Sequence, residues 1–481
     1  MTQRTSIHHK RRDFLKFMGC GALSLALPAC GGKGESEAGK PRPNFIIIFC
    51  DDLGYADIGP FGSEVNRTPH LDRMAEEGMR FSDFYATSGV CTPSRASLMT
   101  GCYPRRVGLH VSAANEWVLF PYDRAGLHAD EITIAELLKD RGYATACIGK
   151  WHLGDQPPFL PTRHGFDSYF GIPYSNDMGA DRSKINPPLP LLRNMEIIEA
   201  PVDQSTITRR YTEEAVRFIT ENRDRPFFLY LPHTMPHFPL HAGEAFQGKS
   251  SNGTYGDVIE ELDWSTGEIL DCLRGLGLDE STLVIFTSDN GGTRRGSNAP
   301  FSGGKGSTME GGMRIPCVMR WPGTVPPSTE CSDLATTMDL LPTLVRMAGG
   351  GFPMDRVIDG KDIGPLIRGE AGAKSPHQAF YYYYMEQLQA VRSGRWKYHL
   401  PMDDKRTGWH GKPFAFSGAL YDLDEDPAEK KDTKNEHPDV VARLIELAEW
   451  ARRDIGDAQN DGANQRRAGY VSDPAPLTLK Q

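Results

Sequence analysis

Short apolar runs recur along the chain between stretches of helical periodicity: Phe45 to Phe49, Ala144 to Ile148, Phe227 to Leu231, Leu283 to Phe286 and Cys317 to Met319. Runs of this length that are apolar throughout, rather than alternating, read as strands covered on both faces. The segments between them carry amphipathic spacing, as at Ile134, Leu137 and Leu138, or Val258, Leu262 and Ile269. The pattern predicts a largely buried sheet inside a layered α/β/α core. A chain of 481 residues is most simply divided into one large domain and a smaller one.

The texture changes after about Pro365. Tyr381-Tyr382-Tyr383-Tyr384 and the stretch Ala390 to Tyr398 read as strands, with a hairpin turn at Ser393-Gly394. A last helix is expected from about Pro438 to Arg453. These elements predict a smaller α+β subdomain with an antiparallel sheet over 366–456, following a main domain over 44–365. Residues 457–481 are expected to be a disordered tail.

Two of the predicted strands end in oxygen-rich turns, Asp51-Asp52-Leu53-Gly54-Tyr55 and Asp289-Asn290-Gly291-Gly292. The carboxyl edge of a buried sheet is where α/β folds place their ligands. Adjacent carboxylates there need a cationic partner, and a hard divalent ion suits oxygen donors. Taken alone, each turn is equally a turn former or a helix cap.

The segment Cys91-Thr92-Pro93-Ser94-Arg95-Ala96-Ser97-Leu98-Met99-Thr100-Gly101 is more specific. Pro93 and the helix formers after it place Cys91 at a helix start, where backbone N–H groups favour an anion. A bare thiol there is either a nucleophile or structural packing. The full string resembles the signature of the type I sulfatases, a branch of the alkaline phosphatase superfamily, whose cysteine is oxidised to formylglycine. The resemblance runs over roughly residues 44 to 430. It takes in Gly149-Lys150-Trp151-His152-Leu153-Gly154, Gly304-Lys305-Gly306 through Glu310-Gly311-Gly312, and Leu420-Tyr421-Asp422-Leu423. Gly171-Ile172-Pro173-Tyr174-Ser175-Asn176-Asp177 is similar to the arylsulfatase A and N-acetylgalactosamine-6-sulfatase branch.

The resemblance implies an alkaline-phosphatase-like α/β/α sandwich with a large mixed sheet. It also implies a Ca²⁺ ion held by Asp51, Asp52, Asp289, Asn290 and the formylglycine made from Cys91 by a dedicated maturation enzyme. Arg95 would steady that residue, one hydroxyl of the hydrated aldehyde would attack sulfur, and His152 would take the proton whose loss releases sulfate. Lys150, Ser175, His237 and Lys305 would contact the sulfate, with His237 and Lys305 placed to protonate the leaving oxygen. A phosphate or phosphonate ester hydrolase of the same superfamily and a non-catalytic binder of sulfated glycans are the alternatives.

Other features have plainer readings. His233 and His237 stand four apart, but the prolines around them rule out a helical zinc pair. Arg294 and Arg295 either reach an anionic substrate or are simply solvated. Tyr381 to Tyr384 either stack on sugars or fill the core.

At the N-terminus, Arg11-Arg12-Asp13-Phe14-Leu15-Lys16 and the apolar run Phe17 to Leu27 read as a twin-arginine export signal over 1–29, too short to span a bilayer. Leu27-Pro28-Ala29-Cys30-Gly31 resembles a lipobox, so Cys30 is expected to carry lipid and to tether the protein to the cell envelope through a flexible segment over 30–43. An ordinary cleavage site ending at Ala29 is the other reading. The net charge of −9 includes five basic residues and one acid in the first 29, so the exported remainder carries −13. Nucleic acid is therefore not an expected partner. Export permits disulfides, but no pairing is read from the cysteines.

Overall fold

The computed structural model describes residues 42–181, 183–408 and 411–479. The export signal, Cys30 and nearly all of the tether lie outside these residues.

Ten strands form the large sheet: Asn44–Cys50 (β1), Met79–Phe81 (β2), Ala144–Ile148 (β3), Ser168–Gly171 (β4), Leu191–Arg193 (β5), Glu196–Glu199 (β6), Phe227–Pro232 (β7), Thr282–Ser288 (β8), Cys317–Arg320 (β9) and Thr329–Cys331 (β10). Their order across the sheet is β10-β2-β9-β8-β1-β7-β3-β4-β5-β6. The centre is parallel: β1 lies between β8 and β7, and β3 joins β7 to β4. Antiparallel pairings at both flanks make the sheet mixed.

Alternation along β1 shows why its sequence is apolar throughout. Phe45, Ile47 and Phe49 pack on one face, with Leu98 and Met99 of Cys91–Thr100 (α2), Leu138 of Ile134–Lys139 (α3) and Leu344 of Leu340–Met347 (α6). Ile46, Ile48 and Cys50 pack on the other, with Leu71 of Pro69–Glu76 (α1), Tyr211 of Ile207–Glu221 (α4) and Leu262 of Gly253–Gly275 (α5). Both faces are covered, which is the α/β/α sandwich the sequence predicts.

The second sheet is antiparallel, from Phe380–Tyr384 (β11), Gln387–Ser393 (β12), Trp396–His399 (β13) and Ala419–Asp422 (β14). The expected hairpin forms with Ser393 opposite Trp396. Pro438–Asp454 (α7) packs Leu444, Ala448 and Ala451 against this sheet. All four tyrosines from Tyr381 to Tyr384 are buried, so they are core and not a sugar-stacking surface.

The tail departs from expectation. Gly469–Tyr470 pairs antiparallel with Ala125–Gly126. Arg466 Nε lies 2.6 Å from Glu131 Oε1, and Ala475 N donates to Gln156 Oε1 at 2.9 Å. Residues after 457 are therefore held to the main body by long-range backbone and charge contacts, not left as a loose end. Among the described residues no helix is long and apolar enough to cross a membrane.

Candidate active site

The sheet register brings the carboxylates together. Cys50 of β1 is opposite Ser288 of β8, so Asp51 and Asp289 leave the sheet side by side, and Asp289 N donates to Cys50 O at 3.0 Å. After β7, His233 N donates to Phe49 O at 2.8 Å and Asp51 N to Met235 O at 3.2 Å, which draws the segment bearing His237 across the end of β1. After β3, Lys150 N donates to Pro232 O at 2.8 Å. Gly149 makes this approach feasible: its φ is +135°, and a Cβ there would lie 1.9 Å from Pro232 O. Ser175 and Asn176 follow β4. The carboxyl ends of β8, β1, β7, β3 and β4 thus converge on one spot.

Cys91 is the first residue of α2, after an extended Val90 with no side-chain cap. Uncapped first-turn amides leave partial positive charge there. Arg95, one turn on and wholly buried, donates from Nη2 and Nε to Asp289 Oδ2 at 2.8 and 3.1 Å, and from Nη1 to Lys150 O at 2.9 Å. With Nη2 also 3.7 Å from Asp51 Oδ1, it ties three of the converging strand ends to the helix.

Around Cys91 the charges interlock. Its Sγ is 3.5 Å from Asp51 Oδ1, and Lys150 Nζ is 2.6 Å from Asp51 Oδ2 and 3.1 Å from Ser175 Oγ. Lys305 Nζ is 2.6 Å from Asp52 Oδ1, and Asn290 Nδ2 donates to the same oxygen at 2.9 Å. Burial pushes the Asp51 carboxyl up, but Lys150, His237 and Arg95 outweigh it and hold Asp51 well below the usual carboxylate range. Asp289 goes the other way, raised by burial and by the charge on Asp51. Burial also pushes the Cys91 thiol well up despite Lys150 and Lys305. A neutral, buried thiol is a poor nucleophile as it stands.

The oxygen donors gathered here fit a hard cation. Asp51, Asp52, Cys91 and His237 offer ligand atoms within 4.8 Å of one another, all buried. Asp289 and Asn290 border that group, with Asp52 N donating to Asp289 Oδ1 at 3.1 Å. Asn290 Oδ1 is buried with no hydrogen-bond partner, a costly state for a carbonyl oxygen unless a cation faces it. Carboxylate and amide oxygens suit Ca²⁺ or Mg²⁺ better than zinc.

The two histidines are held in defined states. His152 has a positive φ of 62° and is wholly buried; its Nε2 is 2.9 Å from Leu119 O. A carbonyl only accepts, so Nε2 carries the proton, and the unpartnered Nδ1 keeps its lone pair. Burial, then Lys150 and Arg95, push its pKa well down, so the ring is neutral and able to take a proton. His237 is fixed by Asn176, whose Oδ1 accepts from Nδ1 at 2.9 Å while its Nδ2 donates to Gln204 Oε1 and Pro239 O. His237 Nε2 points to Ser175 Oγ at 3.4 Å and Asp52 Oδ2 at 3.7 Å. Burial and Lys305 lower its pKa.

Cys91, His152, Ser175, His237 and Lys305 line one cavity of about 330 Å³, with Asp52 at its wall. His233 is elsewhere, buried with Nε2 3.3 Å from Ser265 Oγ. The sequence reading missed Asn176, although it adjoins Ser175 in a segment already singled out. It also missed Trp117, Val118 and Phe120, which close one side of the cavity from a loop without a motif.

A family model described as Sulfatase matches residues 43–350, and one described as N-sulphoglucosamine sulphohydrolase, C-terminal, matches residues 305–449. The chain is 37% identical to arylsulfatase A of Homo sapiens, over 90% of this chain and 92% of that protein. It is 36% identical to N-acetylgalactosamine-6-sulfatase of Rattus norvegicus, over 92% of each. Among solved structures it is similar to Ps i-CgsB in complex with k-i-k-neocarrahexaose, with a TM-score of 0.74 and 29% identity, covering 90% of this chain and 95% of that one.

Proposed function

The chain belongs to the sulfatase family and is a sulfuric ester hydrolase, and we propose that it acts through a formylglycine made from Cys91, with one Ca²⁺ beside it. The observation that carries this reading is the placement of Cys91 at the uncapped start of α2, 3.5 Å from Asp51 and in one cavity with His152, Ser175, His237 and Lys305. The thiol sulfur marks where the hydroxyls of the hydrated aldehyde would stand.

Asp51, Asp52, Asp289, Asn290 and residue 91 would hold the ion; when bound, it supplies positive charge that polarises oxygen and offsets the carboxylates. The side chains do the rest. Lys150, Ser175, His237 and Lys305 bind and orient the sulfate oxygens. Arg95 fixes Asp289 beside residue 91; one hydroxyl passes its proton to Asp289 and attacks sulfur, the bond from sulfur to the alcohol oxygen breaks, and a sulfate hemiester forms. Burial alone would lower the pKa of the Lys305 ammonium, but Asp52 outweighs it and keeps Lys305 charged, a proton donor beside His237 for the departing alcohol oxygen. His152 Nδ1 then takes the proton of the second hydroxyl; the hemiester collapses, sulfate leaves and the aldehyde returns. A plain cysteine or serine has no second hydroxyl with which to do this.

The substrate class we propose is an aryl or carbohydrate sulfate. Relatives named for N-acetylgalactosamine 6-sulfate and a neighbour crystallised with an oligosaccharide support the carbohydrate side. Export by the twin-arginine route and lipidation of Cys30 belong to the same proposal; fatty-acid labelling that leaves Cys30 unmodified would remove the anchor.

The deciding experiment coexpresses the exported part of the chain with a formylglycine-generating enzyme. It then compares p-nitrophenyl sulfate with p-nitrophenyl phosphate in Ca²⁺ and weighs the peptide containing residue 91. Conversion of Cys91, with sulfate release that is lost in Cys91→Ala, is expected. A strong preference for phosphate, or activity retained in Cys91→Ala, would overturn the proposal.

A further inference from the structure

A second opening meets the catalytic cavity. It is a cleft of about 1210 Å³ that shares Phe238, Thr293 and Lys305 with that cavity and is lined further by Arg294, Arg295 and Gly408. A cleft of this size, added to the inner cavity, exceeds what a single small leaving group fills.

Arg294 and Arg295 stand exposed on its lip, a few residues beyond Asn290. Many other surface arginines meet carboxylates, as Arg67 does Glu260, Arg193 Glu214 and Arg209 Glu213. Among the described residues neither Arg294 nor Arg295 has a carboxylate within salt-bridge distance. Instead the Arg295 guanidinium lies 4.3 Å from the centroid of the Phe238 ring, which is itself 41% exposed at the junction of the two openings. Two guanidinium groups on neighbouring residues, with no acidic partner among the described residues and in a chain of net charge −9, make a local cationic wall in the cleft that meets the catalytic cavity.

We propose that this outer cleft is a second anion subsite, which takes a further sulfate group on the neighbouring sugar of an oligosaccharide whose reacting sulfate lies over residue 91. The inference rests on the reading of the inner cavity as the place of sulfate ester hydrolysis. Guanidinium forks match the oxygens of a sulfate group two at a time, and Phe238 sets the position of one of them. The selected substrate is therefore a multiply sulfated glycan, with a single sulfate the poorer ligand.

The test measures binding of size-fractionated hexasaccharides of heparin, chondroitin sulfate and carrageenan, with inorganic sulfate as the single-anion control. Each is titrated calorimetrically into the wild-type protein and into Arg294→Ala/Arg295→Ala, at low and raised salt. At least one hexasaccharide should bind the wild type more tightly than inorganic sulfate, weaken about tenfold or more in the double variant, and lose affinity with salt. Arg294→Lys/Arg295→Lys should recover part of that affinity, because charge remains while the fork is lost. Equal affinity of wild type and double variant for every hexasaccharide, or no hexasaccharide preferred over inorganic sulfate, would overturn the subsite. Failure to hydrolyse p-nitrophenyl sulfate would count against the catalytic reading and leave this binding result to be judged by itself.

Discussion

Asn290 donates its amide to Asp52, Nδ2 to Oδ1 at 2.9 Å, and in doing so fixes its own buried carbonyl oxygen where it has no hydrogen-bond partner. An oxygen held in this way is open to a cation, which is the role proposed for it. Adding Ca²⁺ to the chelator-treated protein should raise its melting temperature, since an ion at about a hundred times its dissociation constant stabilises by roughly 2.7 kcal/mol. Asn290→Ala should lose most of that response. Differential scanning fluorimetry with and without Ca²⁺ reads this directly, and a wild-type melting temperature indifferent to both ion and chelator would sink the metal assignment.

His152 holds its proton on Nε2 against Leu119 and keeps Nδ1 as a base. If its task is to release sulfate from residue 91, His152→Ala should slow turnover by roughly 10²- to 10⁴-fold. The enzyme should then accumulate with a sulfo group attached, giving a burst of alcohol followed by a slow steady state. Intact-protein mass spectrometry after brief exposure to substrate would find the adduct. A slow variant with neither burst nor adduct would place His152 before the covalent step.

Glu310, in the segment that leads to β9, is held against the second sheet. Lys397 Nζ lies 2.9 Å from Glu310 Oε1 and donates to Thr308 O at 2.8 Å, while Tyr85 and Tyr382 donate to the Glu310 carboxylate at 2.5 and 2.9 Å. Burial raises this carboxyl, but Lys397, Arg392 and Arg314 outweigh it, and the net direction is below the ordinary 4.5. A carboxyl more acidic in the folded state stabilises that state fully above its unfolded value, and the contribution drains away as pH falls past 4.5 toward the depressed value. Urea unfolding of the wild type should lose stability more steeply below pH 4.5 than that of Glu310→Gln; parallel pH profiles would show that Glu310 contributes nothing to acid sensitivity.

The ordered tail yields a truncation test. Ending the chain after Asp461 removes Arg466, which pairs with the buried Glu131, and the pairing of Gly469–Tyr470 with Ala125–Gly126. Leaving a buried carboxylate without its partner costs roughly 3–5 kcal/mol. The shortened protein should melt well below the full chain, and Arg466→Met should reproduce part of the loss. An unchanged unfolding midpoint would mean that the tail is held without contributing stability.

What could be read from the sequence followed from how locally each feature is encoded. The central strands were legible because burial on both faces forces continuous apolar runs, and Asp51, Asp52, Asp289 and Asn290 because each pair closely follows such a run. The Cys91 string was legible because its chemistry sits in consecutive residues. The tail was not: Gly469 and Tyr470 follow no pattern, and what holds them is Ala125 and Gly126, far away in sequence. Trp117 and Phe120 were missed for the same reason, since a cavity wall built from a loop has no periodicity. Asn176 was within reach, but an asparagine that orients a histidine looks in sequence like any loop asparagine.

Lys397 belongs to the late β13, yet it grips Thr308 and Glu310 in the segment that carries Lys305. During synthesis from the N-terminus, every carboxylate and the cysteine of the cavity emerge well before that lysine does. A nascent chain that has not yet made β13 therefore holds every carboxylate of the cavity while still lacking the lysine that grips the Thr308–Glu310 segment.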